Sequence, residues 1–239
     1  MKALILNSGA GSRISGLTTG RPKCMVELCT GQTILNRQIG LLERQGIREI
    51  CITTGPFAET LKRHAYEAAS SSSLFFVQNH DYADTNYIYS IYLARELLFD
   101  DILLLHGDLV FSEDVLADLL QLRHSAAVIS TVAPLSKKDF KAVLTDGLIS
   151  AVGVDFFSGA VAMQPLYKLN KEDWLIWLHE IESFVARGEK SCYAENALNA
   201  VSRHCAIFPF DVKERLCGEI DTLEDLYSIN VALTRGNAK

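Results

Sequence analysis

Short apolar runs and amphipathic segments alternate along the first half of the chain. Three short runs are continuously hydrophobic, as expected of strands buried on both faces, at 3–6, 74–77 and 102–105, and segment 49–54 is also strand-like. Apolar positions at helical spacing predict three helices between them, at 34–45, 56–69 and 87–98. Because successive parallel strands need right-handed crossovers, this alternation predicts an α/β fold with a Rossmann-like, mainly parallel sheet flanked by helices.

The second half of the chain has a less regular pattern. It predicts short strands near 126–132, 142–145, 148–154 and 205–209, and helices at 171–187 and 222–234. No internal repeat or linker is visible between the halves. We therefore predict a single domain over residues 1–239, in which the part after about residue 125 extends the sheet of the first part.

Composition and charge narrow the classes of partner. Hydrophobic residues make up 49% of the chain, which leaves no excess of polar sequence for a disordered tail. A net charge of −6 argues against nucleic-acid binding, which needs clustered cations. The first apolar run is far shorter than a signal-peptide core or a membrane span, so we expect a cytoplasmic protein without a membrane partner. The six cysteines form no C-x-x-C pair, and we expect reduced packing residues and no zinc site.

The first strand ends in a glycine-rich turn with cations nearby. Gly9 and Gly11 would let the backbone approach an anion closely, and Arg13 and Lys23 would add positive charge for phosphate groups. The turn lacks the third glycine of a dinucleotide fingerprint and the Gly-Lys-Ser/Thr of a P-loop. A plain strand-to-helix turn with surface cations fits the spacing equally well, so both interpretations stay open.

Two acidic segments are candidates for a metal site. Asp108 follows a buried strand, at the edge where parallel sheets hold their ligands, and we favour a Mg²⁺ role for it. Glu219 and Asp221 alternate as on a strand, which places both carboxylates on one face. Asp221 with Glu224 also fits a capping box of the last helix, so the spacing alone supports a structural role for Asp221 at least as well.

Taken together, these motifs resemble the sugar-phosphate nucleotidyltransferase superfamily, and the resemblance implies its nucleotide-diphospho-sugar transferase type of fold. The match is ordered along the whole chain: Leu6-x-x-Gly9-x-Gly11-Ser12-Arg13, Pro22-Lys23, the Asp after a hydrophobic strand, and Glu219-Ile-Asp221. Segment 84–94 (DTNYIYSIYLA) is similar to the Asn-rich segment of bacterial choline-phosphate and 2-aminoethylphosphonate cytidylyltransferases. The chain departs from the superfamily at Asn7-Ser8, where two alanines are frequent.

The resemblance implies a role for each matching residue. The CTP site would comprise Leu6, Ser8, Gly9, Gly11, Ser12, Arg13, Lys23, Thr85, Asn86 and Ser90, with the last three near the cytosine. Mg²⁺ would be bound by Asp108, Glu219 and Asp221, and the catalytic residues would be Lys23, Arg13 and Asp108. The acceptor site would comprise Lys141, Phe156, Tyr193, Glu195 and Asn196. Residues from 1 to about 125 would form the nucleotide-binding half, and those from about 126 to 239 a small acceptor-binding extension.

A zwitterionic acceptor, with a negative and a positive group, needs a site with an anion-binding side and a cation-binding side. The lysine-rich segment 137–141 offers the first, and Glu195 with nearby aromatic residues offers the second. From the residues alone, lysine runs are more often solvated and paired phenylalanines more often core. Only the resemblance favours a role in acceptor binding for Glu195. The tyrosines at 87, 89 and 92 also suit helix packing, which we favour for most of them.

The implied activity is Mg²⁺-dependent transfer of CMP from CTP to a small zwitterion, 2-aminoethylphosphonate or phosphocholine, with release of pyrophosphate. A sugar-1-phosphate nucleotidyltransferase is the first alternative, and the aromatic and carboxylate residues of the acceptor site argue against it. An inactive nucleotide-binding regulatory subunit is the second. Retention of Arg13, Lys23, Asp108, Glu219 and Asp221 together argues against that subunit. We expect small-molecule partners only, and a homodimer is compatible with the sequence.

Overall fold

The amino-terminal apolar run forms the middle of a large sheet. The computed structural model describes residues 1–9 and 20–236. Within these residues the strands are β1 (Lys2–Asn7), β2 (Glu49–Thr54), β3 (Ser73–Gln78), β4 (Ile102–His106), β5 (Leu109–Phe111), β6 (Ala126–Ser130), β7 (Lys141–Thr145), β8 (Leu148–Gly153), β9 (Ala160–Leu169), β10 (Phe208–Asp211) and β11 (Cys217–Glu219). The α-helices are α1 (Ile34–Arg44), α2 (Ala58–Ala68), α3 (Tyr87–Ala94), α4 (Glu113–Gln121), α5 (Lys171–Ala186), α6 (Ala194–Val201) and α7 (Leu223–Gly236).

The main sheet has nine strands, and its central path runs in the order β10-β6-β9-β4-β1-β2-β3. Strands β4, β1, β2 and β3 are parallel, as the sequence predicts, so their carboxyl ends meet at one edge. The second part is mixed, because β9 runs antiparallel to both β4 and β6. The predicted α/β class with a Rossmann-like sheet is confirmed, and the second half of the chain does extend that sheet.

Strand β9 lies between β4 and β6, and the hydrophobic pattern failed to predict it. The physical reason is its composition. Pro165 has no N–H for a strand partner, and Gln164 and Lys168 interrupt the apolar run. The register between β9 and β6 shifts between Ala127 and Ile129, at the level of Pro165, and this irregularity accommodates the proline in a central strand.

Two hydrophobic layers cover the sheet. Helices α1, α2 and α4 supply apolar residues to one cluster, and α3, α5 and α6 supply the other. In the second cluster Trp174 and Trp177 are fully buried. Their indole N–H groups donate to the carbonyls of Leu98 and Ala194, at 2.9 Å each, so their polar atoms are satisfied. The packing of α5 against α3 and α6 therefore fixes the region in which Tyr87 and Tyr193 lie.

A second, two-stranded sheet connects the end of the chain to the carboxyl edge of the main sheet. Strand β11 pairs antiparallel with β5, with Glu219 opposite Leu109. Ile220 N then donates to the carbonyl of Asp108, at 3.1 Å. Both strands are only three residues long, and β5 is too short for the pattern to predict, yet they bring the acidic pair 219 and 221 beside Asp108. Among the described residues, no helix is both long and apolar enough to cross a bilayer.

Candidate active site

A cavity of about 370 Å³ opens at the carboxyl edge of the parallel strands. This is the position at which open α/β sheets hold their ligands. Its described lining is Leu6, Asn7, Ser8, Gly9, Pro22, Lys23, Asn79, Tyr82, Thr85, Asn86, Tyr87, Ser90, His106, Asp108, Lys138, Phe140, Val154, Tyr193, Glu219 and Asp221. Eleven of the fifteen residues that the sequence assigns to the CTP, metal and acceptor sites within the described residues are therefore brought together here.

Close packing fixes the start of the glycine-rich turn. A Cβ on Gly107 would lie 1.7 Å from the side-chain oxygen of Asn7, and a Cβ on Gly55 would lie 2.0 Å from the carbonyl oxygen of Ser8. The hydroxyl of Ser8 donates to that of Thr53, at 2.9 Å. Glycine is thus required at 55 and 107 so that the chain at Asn7 and Ser8 can pass over the neighbouring strands. Three residues that the sequence assigns to CTP, namely Gly11, Ser12 and Arg13, lie outside the described residues.

Lys23 lies between two carboxylates. Its Nζ donates to Oδ2 of Asp108 at 2.5 Å and to Oδ1 of Asp221 at 2.6 Å. Burial lowers the pKa of Lys23, but the two carboxylates outweigh burial and raise it above its usual value. Burial raises the pKa of Asp108, and the charges of Lys23 and His106 outweigh it in turn, so Asp108 is held ionised. In the structure the ammonium of Lys23 therefore lies between two of the carboxylates that the sequence assigns to Mg²⁺.

The capping box at the start of α7 is shifted by one residue from the pattern in the sequence. The N–H of Asp225 donates to the hydroxyl of Thr222, at 3.2 Å, and the N–H of Thr222 donates to Oδ2 of Asp225, at 2.8 Å. The structural alternative for Asp221, a box with Glu224, is therefore wrong. Instead, Asp221 is 5% exposed and directs its carboxylate to Lys23.

Glu219 is the third carboxylate of this cluster and pairs with His106. Its Oε1 lies 2.9 Å from Nδ1 of His106, while Nε2 of His106 is buried without a partner among the described residues. Burial and the nearby Asp108 charge raise the pKa of Glu219, whereas hydrogen bonding to Glu219 raises that of His106 against the opposing effect of burial. Ligand atoms of His106, Asp108 and Glu219 lie within 4.8 Å of one another. The cluster therefore offers three carboxyl groups at one place, and hard oxygen donors of this kind suit Mg²⁺.

The opposite side of the cavity is polar and is organised by an asparagine that sequence reasoning missed. Asn79 follows the end of β3 and is 1% exposed. Its Nδ2 donates to the hydroxyls of Thr85 and Ser90, at 3.0 Å each, and its Oδ1 accepts from the N–H of Asp81, at 2.9 Å. Thr85, Asn86 and Ser90 do line the cavity, as the resemblance implies. A polar residue at a strand end was the available signal for Asn79.

Four rings in contact form an aromatic wall of the cavity, which we call the aromatic ring set: Tyr87, His106, Phe140 and Tyr193. The centroid of Tyr87 is 4.9 Å from that of His106 and 5.9 Å from that of Tyr193. The centroid of Phe140 is 5.2 Å from that of Tyr193 and 6.4 Å from that of His106, so each of the four rings contacts two others. Only Tyr193 was predicted as an acceptor residue. The other three are far apart in sequence, and Tyr87 lies on a helix whose tyrosines suggested packing.

Glu195 lies behind this wall. It is 1% exposed and does not line the cavity. The hydroxyls of Tyr87 and Tyr167 donate to its two carboxylate oxygens, with the Tyr167 oxygen at 2.8 Å. Burial and the Glu195 charge raise the pKa of both tyrosines well above the usual value. Tyr87 therefore separates the carboxylate of Glu195 from the cavity that its own side chain lines.

The remaining predicted acceptor residues do not line the cavity. Lys141 is fully buried, and its Nζ donates to the carbonyl of Val154, at 2.5 Å, and lies 4.3 Å from the ring centroid of Phe157. Phe156 packs against Gly153. Lys141 therefore holds the segment that supplies Val154, a lining residue. Asn196 is exposed on the first turn of α6.

An open α/β sheet with such a cavity at its carboxyl edge is the architecture of nucleotide-binding proteins of the Rossmann-like class. The model of the MobA-like NTP transferase domain matches residues 3–200, and the chain belongs to that family. It is 30% identical to CMP-5'-(3-aminopropyl)phosphonate synthase of Streptomyces rubellomurinus over 198 residues, which are 78% of this chain and 31% of that protein. It is 35% identical to choline-phosphate cytidylyltransferase of Streptococcus pneumoniae over 98 residues, 41% of each chain.

A solved structure supports the same fold. The CTP:phosphocholine cytidylyltransferase of Streptococcus pneumoniae superposes with a TM-score of 0.78 at 22% identity, over 97% of this chain and 98% of that one. The matched part of this chain spans less than half the length of both curated relatives.

Proposed function

We propose that this protein transfers CMP from CTP to a small zwitterionic phosphate or phosphonate and releases pyrophosphate. The observation that carries the proposal is that one cavity contains both a cluster of carboxylates with Lys23 and the aromatic ring set. The ammonium of Lys23 and a cation bound by the carboxylates suit a nucleoside triphosphate. The adjoining aromatic faces suit the ammonium headgroup of an acceptor. The names of the relatives, two of which act on an aminoalkyl phosphonate or a choline phosphate, support the same class of acceptor.

The residues divide the work as follows. Gly9, Ser8 and the polar side around Asn79 hold the nucleotide, with Lys23 directed to its phosphates once it leaves its carboxylate partners. An oxygen of the acceptor attacks the α-phosphorus, the bond from that phosphorus to the β-phosphate oxygen breaks, and the electron pair leaves with pyrophosphate. The attacking oxygen is already anionic, so no side chain has to remove a proton. Catalysis then rests on positioning and on electrostatic stabilisation.

Asp108, Glu219 and Asp221 would hold Mg²⁺, because their carboxylates meet at one side of the cavity, with the two aspartates beside Lys23 and Glu219 beside His106. When bound, the ion would stabilise charge on the departing pyrophosphate. The carboxylates that now pair with Lys23 are the same ones that would take the ion, so the lysine becomes available to the phosphates as they bind.

The test of this function is a screen for pyrophosphate release. Each of the four NTPs is combined with phosphocholine, 2-aminoethylphosphonate, phosphoethanolamine and hexose 1-phosphates in the presence of Mg²⁺. We expect release with CTP and one of the zwitterions. Release with a hexose 1-phosphate only would assign the chain to the sugar nucleotidyltransferases, and no release with any pair would support a regulatory subunit.

The metal assignment has its own test in Asp108→Asn. We expect a folded protein that has lost activity at any practical Mg²⁺ concentration, since an amide oxygen does not supply the charge that the ion needs. The matched control is Asp118→Asn, which alters an exposed carboxylate paired with Arg215. Near-normal turnover of the Asp108 variant with unchanged Mg²⁺ dependence would refute the assignment.

A further inference from the structure

Two ammonium groups lie in the described lining of the cavity, those of Lys23 and Lys138. Lys23 is bound by the carboxylate cluster, as described above. Lys138 lies on the loop between β6 and β7, with its side chain 35% exposed. Nothing in the sequence distinguishes it from the neighbouring lysines at 137 and 141. In the structure only Lys138 of the segment 137–141 brings an ammonium to the cavity, because Nζ of Lys141 donates to the carbonyl of Val154 and lies beside the ring of Phe157.

We propose that Lys138 binds the anionic group of the acceptor and so raises the affinity for acceptors that carry one. The inference rests on the proposed function and names a residue for it. Asp221 faces both lysines, with Oδ1 2.6 Å from Nζ of Lys23 and Oδ2 4.0 Å from Nζ of Lys138. A phosphate held by Lys138 would therefore lie next to the place where Lys23 meets the phosphates of CTP.

The present partner of Lys138 can release it at low cost. Nζ of Lys138 donates to Oδ2 of Asp225, at 2.5 Å. That oxygen also accepts from the backbone N–H groups of Asp221 and Thr222, at 2.9 and 2.8 Å, at the start of α7. Asp225 thus keeps two donors and the favourable end of a helix when the lysine turns away. An incoming phosphate would compete for the lysine with a carboxylate that does not depend on it.

The same loop also supplies one ring of the cation-binding side. Phe140 lies two residues after Lys138 and is 5% exposed, and its carbonyl accepts from Met163 N, at 3.0 Å, which anchors it to β9. The Cα atoms of residues 138 and 140 are at most about 7 Å apart, from the reach of the extended chain. One short segment therefore presents a cation for the anionic end of the acceptor and an aromatic face for its ammonium end.

The test compares ligands with and without the anion. Calorimetry gives the dissociation constants for the wild-type protein and for Lys138→Met. The ligand pairs are phosphocholine with choline, and 2-aminoethylphosphonate with ethanolamine. We expect Lys138→Met to weaken binding of the two zwitterions about tenfold or more, as for a lost charge-assisted hydrogen bond. Choline, ethanolamine and CTP should bind within about twofold of wild type. Lys138→Arg should keep much of the affinity, and Lys137→Met, at an exposed neighbour outside the cavity, should keep all of it.

The outcomes separate this inference from the function on which it rests. Zwitterion binding without pyrophosphate release refutes the proposed reaction, and the loss of that binding in Lys138→Met still supports the lysine assignment. Pyrophosphate release with an unchanged acceptor KM in Lys138→Met overturns the lysine assignment alone. Equal weakening of choline and phosphocholine, or a change confined to CTP, overturns it as well. A wild-type protein that binds neither zwitterion overturns both.

Discussion

Nζ of Lys23 lies 2.5 Å from Oδ2 of Asp108, so the lysine that the sequence assigns to the phosphates is also an ion-pair partner of a carboxylate. The sequence predicts a group that matters to the reaction and not to stability. The second pair, with the nearly buried Asp221, changes this expectation. Removing one member of a buried ion pair leaves an uncompensated charge, which is destabilising.

We therefore expect Lys23→Met to have two effects. Turnover should fall on the order of 10²-fold or more, as for other transition-state electrostatic groups. The melting temperature in chelator should also fall, and millimolar Mg²⁺ should restore part of it, because the two carboxylates then have a cation again. Thermal unfolding with and without Mg²⁺ measures this. Lys62→Met, at an exposed pair with Glu59, is the control and should show neither effect.

The position of Tyr87, between Glu195 and the cavity, leads to the second expectation. Glu195 is buried, so it can affect an acceptor only through a neighbour, and Tyr87 is the one of its two tyrosine partners that lines the cavity. Glu195→Gln and Tyr87→Phe should each raise the acceptor KM and leave the CTP KM nearly unchanged. The double variant should be little worse than the worse single variant, since both changes break one chain of contacts.

Tyr167→Phe is the matched control for that experiment. Tyr167 donates to the same carboxylate but does not line the cavity. We expect it to reduce stability and to leave both KM values close to those of wild type. Additive effects of Glu195→Gln and Tyr87→Phe, or a KM change confined to CTP, would contradict a path through Tyr87.

The contact between Asn7 and Gly107 leads to a steric expectation. A Cβ at 107 would meet the side-chain oxygen, carbon and nitrogen of Asn7 at 1.7, 2.2 and 2.6 Å. Gly107→Ala should reduce the free energy of unfolding by about 1–3 kcal/mol, the usual range for overpacking. Asn7→Ala removes all three atoms, so the double variant should recover most of the loss. Chemical denaturation of the four proteins measures the coupling, and an equal loss in the presence and absence of the Asn7 side chain would contradict it.

The sequence predicted those elements whose periodicity is strong. Strand β2 was predicted at its observed bounds and α1 within a residue, because buried parallel strands and amphipathic helices leave clear patterns. The misses have separate physical causes. Pro165 interrupts the apolar pattern of the central strand β9, and the three-residue strand β5 is too short to leave a pattern. The alternation of Glu219 and Asp221 did indicate a strand, but β11 ends at Glu219.

The residues of the site also divide into those that the sequence predicted and those that it missed. The charged residues Lys23, Asp108, Glu219 and Asp221 were predicted, because they follow strand ends or belong to a motif, and all four line the cavity. The aromatic ring set was not predicted beyond Tyr193. Its members come from four different segments, and no spacing within the sequence records that long-range packing brings them together.

The serine run after α2 gives the last expectation, because it forms a site for an internal carboxylate. Glu43, on α1, is 9% exposed. Its two oxygens accept from the backbone N–H groups of residues 70, 71 and 72 and from the hydroxyls of Ser70 and Ser72, at 2.6 to 3.3 Å. Burial alone would raise the pKa of Glu43, but these hydrogen bonds outweigh it and lower the pKa from its usual 4.5 to about 2.

A carboxylate whose pKa is lowered by folding stabilises the native state at every pH above its unfolded value and loses that contribution as the pH falls to its folded value. For Glu43 the loss lies between pH 4.5 and about 2. At neutral pH, Glu43→Gln should reduce the free energy of unfolding by about 1.5–3 kcal/mol, the range for hydrogen bonds to a charged group. The difference between wild type and the variant should shrink as the pH falls through this window, which denaturation at a series of pH values measures. The matched control is Glu59→Gln, whose carboxylate is exposed and should show little difference at any pH. A Glu43→Gln difference that stays constant, or grows, in acid would show that the serines stabilise the neutral side chain equally well.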